Sequence, residues 1–484
     1  MNIVDYLFSD NKDHDKLFVL GNHEQASYDQ IFNNSLILSS WLRNTIGNNN
    51  RILLISPNSV FFITVYLGIM KSGNVCVPIN PNIEQSNLDY INTQSEASAV
   101  FLSSKLKSEY SFPVINTFDE TSLEHILLDE INNIDNSPEQ FDGSRLAQIL
   151  FTSGSTGHPK GVMLSHKNLI ANTQSIIQYL QLSTNDIMEV VLPFYYCYGL
   201  SLLHTHLKVA GSIVINNSFI FLGQVFNDLK KYKCTGFAGV PSHFQILLRK
   251  SESFKNSEFP DLRYVTQAGG KLHDVFINEF IEAFPKKKFY VMYGQTEATA
   301  RLSYLPSDKV LEKIGSIGKG IPGVMLEILN DNFKPVNNGE LGEVVAKGDN
   351  IMLGYLNDPE GTETVLKNGW LHTGDLAKKD DEGYFYLFAR KKEIIKVAGK
   401  RVSPKEIEEV IVTIPFVLSC KITGVYDDVL GEAIKSTIIL KDGINENEAR
   451  EEIIMECRQK LALYKIPSMI EFENNISDPL KLSK

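Results

Sequence analysis

The chain predicts an α/β fold: a large domain of parallel-rich sheets with helices, a β subdomain, and a small α+β domain at the C-terminus. Three observations predict it. Strand-like apolar runs alternate with amphipathic helical stretches through most of the chain, the pattern of parallel strands joined by helical crossovers. From Gly323 onward the pattern becomes short strands broken by Gly, Asn and Pro. A helix start at Ser403-Pro404 then opens a last stretch of alternating helix and strand, long enough for a small domain. The expected domains are residues 1–390, with the β subdomain at about 320–390, and residues 391–484.

Each element has its own signal. Residues 51–56 form a short apolar run, 58–71 a helical stretch, and 75–78 the next strand. Ile149-Leu150-Phe151 reads as a buried strand end. Strand 213–215 pairs in sequence with a helix at 221–232, and strand 236–240 with a helix at 242–249. Strand 288–292 precedes the β subdomain, whose strands are expected at 324–329, 342–347 and 384–389. At the last domain, Ser403 is the expected N-cap, with Pro404 at the first helical position and Glu406 closing a capping box.

Composition bounds the function. The 484 residues carry 43% hydrophobic and 22% charged side chains with a net charge of −11, which argues against nucleic-acid or anionic-membrane partners. Cys76, Cys197, Cys234, Cys420 and Cys457 are scattered without a Cys-x-x-Cys pair, as expected of reduced thiols. The N-terminus carries Asp5, Asp10, Asp13 and Asp15, unlike a signal peptide. The longest apolar run, 60–70, is too short to span a bilayer. The expected location is the cytoplasm.

Four segments carry chemistry. Thr152, Ser153, Gly154, Ser155, Thr156 and Gly157 lead to a single lysine, Lys160. Such residues bury little, but their amides and hydroxyls can surround a polyanion with an ammonium to close the cage. This is not a Walker loop, because Pro159 precedes Lys160. The second segment is Tyr293-Gly294-Gln295-Thr296-Glu297. An exposed aromatic there can stack on a purine, Thr296 can meet a phosphate, and Glu297 is a hard ligand suited to Mg²⁺. Alone, the pentad also reads as a polar turn. The third centres on Asp375 in Thr373-Gly374-Asp375, a ribose-hydroxyl acceptor or an Asx-turn. The fourth runs from Arg390 through Lys392, Lys396 and Gly399 to Arg401, either a solvated surface or an interdomain phosphate contact.

In this order the four blocks resemble the adenylate-forming superfamily of acyl-CoA synthetases, peptide-synthetase adenylation domains, acyl-carrier-protein ligases and luciferases. The likeness runs from about Leu53 to the C-terminus and includes the block 192–200, Gly239-Val240-Pro241-Ser242 and Ala268-Gly269-Gly270. The resemblance implies ATP and Mg²⁺ as cofactors, with CoA or phosphopantetheine as acceptor. The 152–161 loop would hold the β- and γ-phosphates, Tyr293 would face adenine, Thr296 the α-phosphate and Glu297 the metal. Asp375 would bind ribose, assisted by Arg390. Lys392 would be the hinge of a rotating domain, and Gly399 would leave room for pantetheine. The reaction implied is acid adenylation with pyrophosphate release, then transfer to a thiol, by a monomer or homodimer. Such chemistry needs positioning and charge neutralisation rather than a protein nucleophile.

One departure concerns the end of the chain. Members usually close with a Gly-Lys pair, whereas this chain closes on Lys481-Leu482-Ser483-Lys484 without glycine. Lys484 serves with altered spacing, Lys481 does, or the pair lies beyond the chain. Gly318-Lys319-Gly320-Ile321-Pro322-Gly323 matches a dinucleotide fingerprint but enters strand-like sequence, so it is set aside. His204 and His206 lie on an apolar helical stretch and read as core, and His166 reads as helping to fix a helix start.

Amino-acid-activating members place an aspartate after the aromatic of the 192–200 block, where this chain has Tyr195-Tyr196. A buried ammonium without a partner is costly. A fatty, aryl or other simple acid is therefore expected, with Tyr196, Gly199, Ala268 and Gly269 near its pocket. An amino acid–carrier-protein ligase and a catalytically silent adenylate-binding protein are the alternatives. Any carrier protein would act in trans.

Overall fold

The computed structural model describes residues 1–484 apart from 10–14, 23, 113–114, 131–140, 153–157, 220, 429 and 474–484. Two parallel-rich sheets form the bulk of the molecule. The first has nine strands, with Lys288–Tyr293, Tyr264–Gln267, Gly236–Gly239, Ile187–Val190, Ser212–Ile215 and Leu17–Leu20 parallel at its centre. The second has seven, with Leu146–Thr152, Val75–Ile79, Arg51–Ile55, Ala99–Leu102 and Asn116–Phe118 parallel. Ile52, Leu53, Leu54 and Ile55 are all fully buried, which explains a run without polar alternation: both faces of a parallel sheet are covered. The helix expected at 58–71 starts at Val60, because Ser59 caps it by accepting from the Phe62 amide.

From Gly323 onward, where short broken strands were expected, the strands of the next sheet pair antiparallel. Val324–Leu329, Gly342–Gly348, Trp370–Lys379 and Phe385–Arg390 form one sheet, in which Asp375 and Arg390 are direct cross-strand partners. The glycine fingerprint belongs to an edge strand, Lys319–Gly320. Gly318 has φ +79°, and a Cβ there would stand 1.8 Å from the Tyr304 carbonyl oxygen. Its glycine serves strand packing.

The final unit packs helices Pro404–Ile411 and Glu446–Lys460 on a sheet of Lys400–Val402, Ile395–Val397, Gly431–Leu440, Val417–Asp427 and Met469–Phe472. Pro404 occupies the first helical turn as expected, but the capping box does not form. Ser403 Oγ donates instead to the Phe388 carbonyl at 2.5 Å, and Glu406 pairs with Lys465. The hydroxyl ties the unit to the preceding sheet rather than to its own helix. Across the same boundary Glu409 accepts from the Asp274 amide at 2.8 Å and pairs with His273 and Lys271 at 2.9 and 2.8 Å.

The histidine readings divide. His204 meets the Tyr66 hydroxyl at 2.9 Å inside the core. His166, by contrast, does not cap its helix, since Ser165 and Asn168 form a capping box there. It accepts from the Ile3 amide at 3.1 Å and so anchors the N-terminal segment. All five cysteines are free, and among the described residues no helix is long and apolar enough to cross a membrane.

Candidate active site

Strand Leu146–Thr152 pairs antiparallel with Lys160–Ser165, which sets Thr152 opposite Lys160 at the mouth of a hairpin. Ser153, Gly154, Ser155, Thr156 and Gly157 lie outside the described residues. Lys160 Nζ is 2.7 Å from Asp358 Oδ2 and 4.8 Å from the centroid of the Tyr355 ring. Beside it opens a cavity of about 340 Å³ lined by Tyr90, His158, Lys160 and Asp358 among others.

Strand Gly354–Tyr355 extends this hairpin, pairing antiparallel with Lys160–Ser165. That pairing carries Tyr355 under Lys160 and points its hydroxyl the other way, to Glu297 Oε1 at 2.8 Å. Burial and the neighbouring Glu297 push the Tyr355 hydroxyl well above its usual range, so it stays a proton donor to the carboxylate. Glu297 sits in the one-turn helix Thr296–Ala298, and its carbonyl accepts from the Met352 amide. Next to it, Thr296 Oγ1 lies 3.7 Å from Cys197 Sγ.

Tyr293 ends the strand Lys288–Tyr293 and is buried, not exposed as expected. Strand Trp370–Lys379 closes over it, and Tyr293 Oη donates to Asp375 Oδ2 at 2.6 Å. Asp375 Oδ1 meets Arg390 Nε at 3.2 Å. Burial raises the Asp375 carboxyl, with Arg390 acting against the shift. Arg390 lies within electrostatic reach of Asp375, Tyr293 and Glu297 together. Tyr293 and Arg390 thus hold one oxygen each of the Asp375 carboxylate.

Around the expected acid pocket, Tyr196 is the N-cap of helix Cys197–Lys208. Ala268 and Gly269 follow the strand Tyr264–Gln267, and Gly269 has φ +87°. At Gly199 a Cβ would stand 2.0 Å from the Pro193 carbonyl oxygen. The close approach of the Pro193 backbone requires glycine there.

Lys392 lies in the turn after strand Phe385–Arg390. Gly399, with φ +78°, lies between strands Ile395–Val397 and Lys400–Val402. Among the described residues that hairpin makes its contacts within its own unit: Lys396 N to Glu432, Ala398 N to the Leu430 carbonyl, and Lys400 over Tyr464. Lys481 and Lys484 lie outside the described residues. Sequence reading missed Tyr355, Asp358 and Cys197. The first two lie in an ordinary Gly-Tyr-Leu-Asn-Asp-Pro stretch whose only signal is turn chemistry before Pro359.

The AMP-binding enzyme model matches residues 9–356, and the AMP-binding enzyme C-terminal domain model matches 406–477. The chain belongs to the AMP-binding enzymes. This AMP-binding enzyme is 30% identical over 448 residues to an oxalate–CoA ligase of Arabidopsis thaliana, covering 88% of the chain and 85% of the relative. It is 27% identical over 503 residues to a long-chain-fatty-acid–CoA ligase of Escherichia coli, covering 94% and 87%. Among solved structures it superposes on a benzoate CoA ligase from Burkholderia xenovorans with a TM-score of 0.87 at 22% identity, covering 100% and 98% of the two chains, a likeness of fold.

The residues present fit a magnesium ion brought in on a triphosphate. Glu297 offers one hard carboxylate oxygen, Oε2, that takes no hydrogen bond from the described residues. No three His, Cys, Asp or Glu side chains gather elsewhere among them. One carboxylate plus substrate phosphates is how Mg²⁺ is commonly held.

Proposed function

We propose that this chain, an AMP-forming acid–thiol ligase, adenylates a small carboxylic acid with release of pyrophosphate and passes the acyl group to a thiol. The observation that carries the reading is the bridge by which Tyr355 joins Lys160 to Glu297, together with an Asp375 carboxylate held by Tyr293 and Arg390. A cation for phosphates, a carboxylate for a metal and a buried carboxylate for ribose are what a nucleotide triphosphate requires.

In the first step a carboxylate oxygen bonds to the α-phosphorus and the bond to the bridging oxygen breaks, so pyrophosphate leaves. Lys160 and the 152–157 loop hold the departing phosphates, and Thr296 faces the α-phosphate. Asp375, kept in place by Tyr293 and Arg390, accepts the ribose hydroxyls. Glu297 would hold Mg²⁺ through Oε2, which when bound neutralises phosphate charge. Lys484 is the proposed lysine on the reacting carboxylate. In the second step a thiolate adds to the acyl carbon and AMP leaves. We place the domain division at 390–391, with Lys392 as hinge and Gly399 approaching the pantetheine in the rotated state.

The relatives are named for CoA transfer, which favours coenzyme A over a carrier protein as acceptor. Their acids differ, from oxalate to long-chain fatty acids, so kinship leaves the acid open. ATP, coenzyme A and free cysteines fit the cytoplasm. Mass spectrometry of the enzyme with MgATP, an acid panel and coenzyme A tests the reading. Acyl-CoA and AMP are expected. ADP, or a product independent of acid, would refute it.

A further inference from the structure

Arg301 is a buried cation that its surroundings leave without a counter-ion. The residue is 2% exposed and lies just beyond the Thr296–Ala298 turn. Its guanidinium carbon stands 4.0 Å from the Tyr198 ring centroid. Nε donates to Met292 Sδ and Nη1 to the Ala300 carbonyl, each at 3.3 Å. Among the described residues the groups in contact with it are neutral: Tyr198 from helix Cys197–Lys208 and Met292 from strand Lys288–Tyr293, with Tyr179 of helix His166–Leu180 within electrostatic reach. Among the described residues no carboxylate pairs with it. A ring face, a sulfur and one carbonyl orient a guanidinium, but none cancels its charge. A permanently charged group removed from water calls for an anion.

Its position identifies the source of that anion. Cys197, the chain neighbour of Tyr198, places its sulfur 3.7 Å from Thr296 Oγ1 and lies within reach of both Arg301 and Glu297. The Tyr198 hydroxyl donates to the Thr266 carbonyl, two residues before Ala268. Through Tyr198, Arg301 is joined to the strand that leads into Ala268 and Gly269, the expected acid pocket.

We propose that the acid activated here is a dicarboxylic acid, and that Arg301 selects it by pairing with the carboxylate that is not adenylated. The inference rests on the acid-activation reading above. A monocarboxylate leaves the buried cation bare, and an α-ammonium acid meets a like charge.

Acid-dependent pyrophosphate–ATP exchange tests this with pairs matched in carbon skeleton: propionate and malonate, butyrate and succinate, benzoate and benzene dicarboxylates. The wild type is expected to favour at least one dicarboxylate over its partner by about 100-fold in kcat/KM. Arg301→Gln should collapse that ratio through the KM of the acid rather than that of ATP, and Arg301→Lys should restore part of it. A wild type that uses monocarboxylates as well as or better than their dicarboxylate partners overturns the proposal whatever the variants do. So does a folded Arg301→Gln enzyme that keeps the wild-type ratio. Exchange with no acid of either class overturns the acid-activation reading itself, and this inference with it.

Discussion

Tyr355 donates its hydroxyl to Glu297 Oε1 at 2.8 Å, and the same ring lies 4.8 Å from Lys160 Nζ. One side chain thereby sets the separation between the proposed metal carboxylate and the proposed phosphate cation. The two-residue strand Gly354–Tyr355, added to the edge of the seven-stranded sheet, is what holds it there.

Tyr355→Phe keeps the ring under Lys160 and removes the bond to Glu297. A hydrogen bond to a charged group is worth about 1.5 kcal/mol or more. The Mg²⁺ concentration for half-maximal exchange should rise about tenfold, and isothermal titration should register weaker MgATP binding with little change for ATP in EDTA. An unchanged Mg²⁺ dependence would contradict the bridge.

Asp358 pairs with Lys160, the proposed phosphate cation, and would have to release it to ATP. Both partners are about a third exposed, so the pair is worth about 0.5–1 kcal/mol. Asp358→Asn should lower the KM for ATP by about two- to fivefold, while Lys160→Met raises it. A higher KM in Asp358→Asn would mean that the aspartate positions the lysine for phosphate rather than occupying it.

Glu409 fastens the C-terminal unit to the large one. Burial alone would raise its carboxyl, but His273 and Lys271 hold it at about 2. Glu409→Gln removes the charge on which these contacts depend. Trypsin should then cut at Lys391, Lys392, Lys396 or Lys400 about ten times faster, in line with a docking contact of about 1.4 kcal/mol. Unchanged proteolysis would contradict the contact's role.

The acid limit of stability should be set by histidines before Glu409 takes up a proton. Burial lowers His166, His204 and His243 to about 3 and His206 to about 4. Unfolded, each would bind a proton near 6.5, so the unfolded state gains protons first and stability falls as pH drops below that value. Each contributes about 1.4 kcal/mol per pH unit down to its folded value. Urea unfolding at pH 7.5 and 5.5 should differ by several kcal/mol, and His243→Gln should flatten the slope. Equal stability at the two pH values would contradict the assignment.

The fold was legible because its signals are local. Apolar runs bounded by Gly, Pro and polar clusters named part of the parallel strands, while Leu17–Leu20, Ala99–Leu102, Asn116–Phe118, Ile187–Val190 and Tyr264–Gln267 went unread, and broken short strands named the β subdomain. What escaped was pairing across distance. Lys160 and Asp358 are 198 residues apart, and Tyr355 and Glu297 are 58 apart. The Ser403 capping box failed because a tertiary carbonyl, Phe388, outcompeted the local amide. Tyr293 read as exposed because no local pattern reveals that a later strand covers it. Gly199 sits in a block that resemblance ties to the acid, yet its size answers to the Pro193 carbonyl. Arg301 looks like any basic residue until its burial and its neutral neighbours are known.

Acid-dependent exchange of labelled pyrophosphate into ATP tests the central claim most directly. With Mg²⁺ and a suitable acid, label should enter ATP at least about 100-fold faster than without acid, and Asp375→Ala should reduce the rate strongly. Exchange that appears with no acid in a broad panel, or that proceeds equally without acid, would contradict the account.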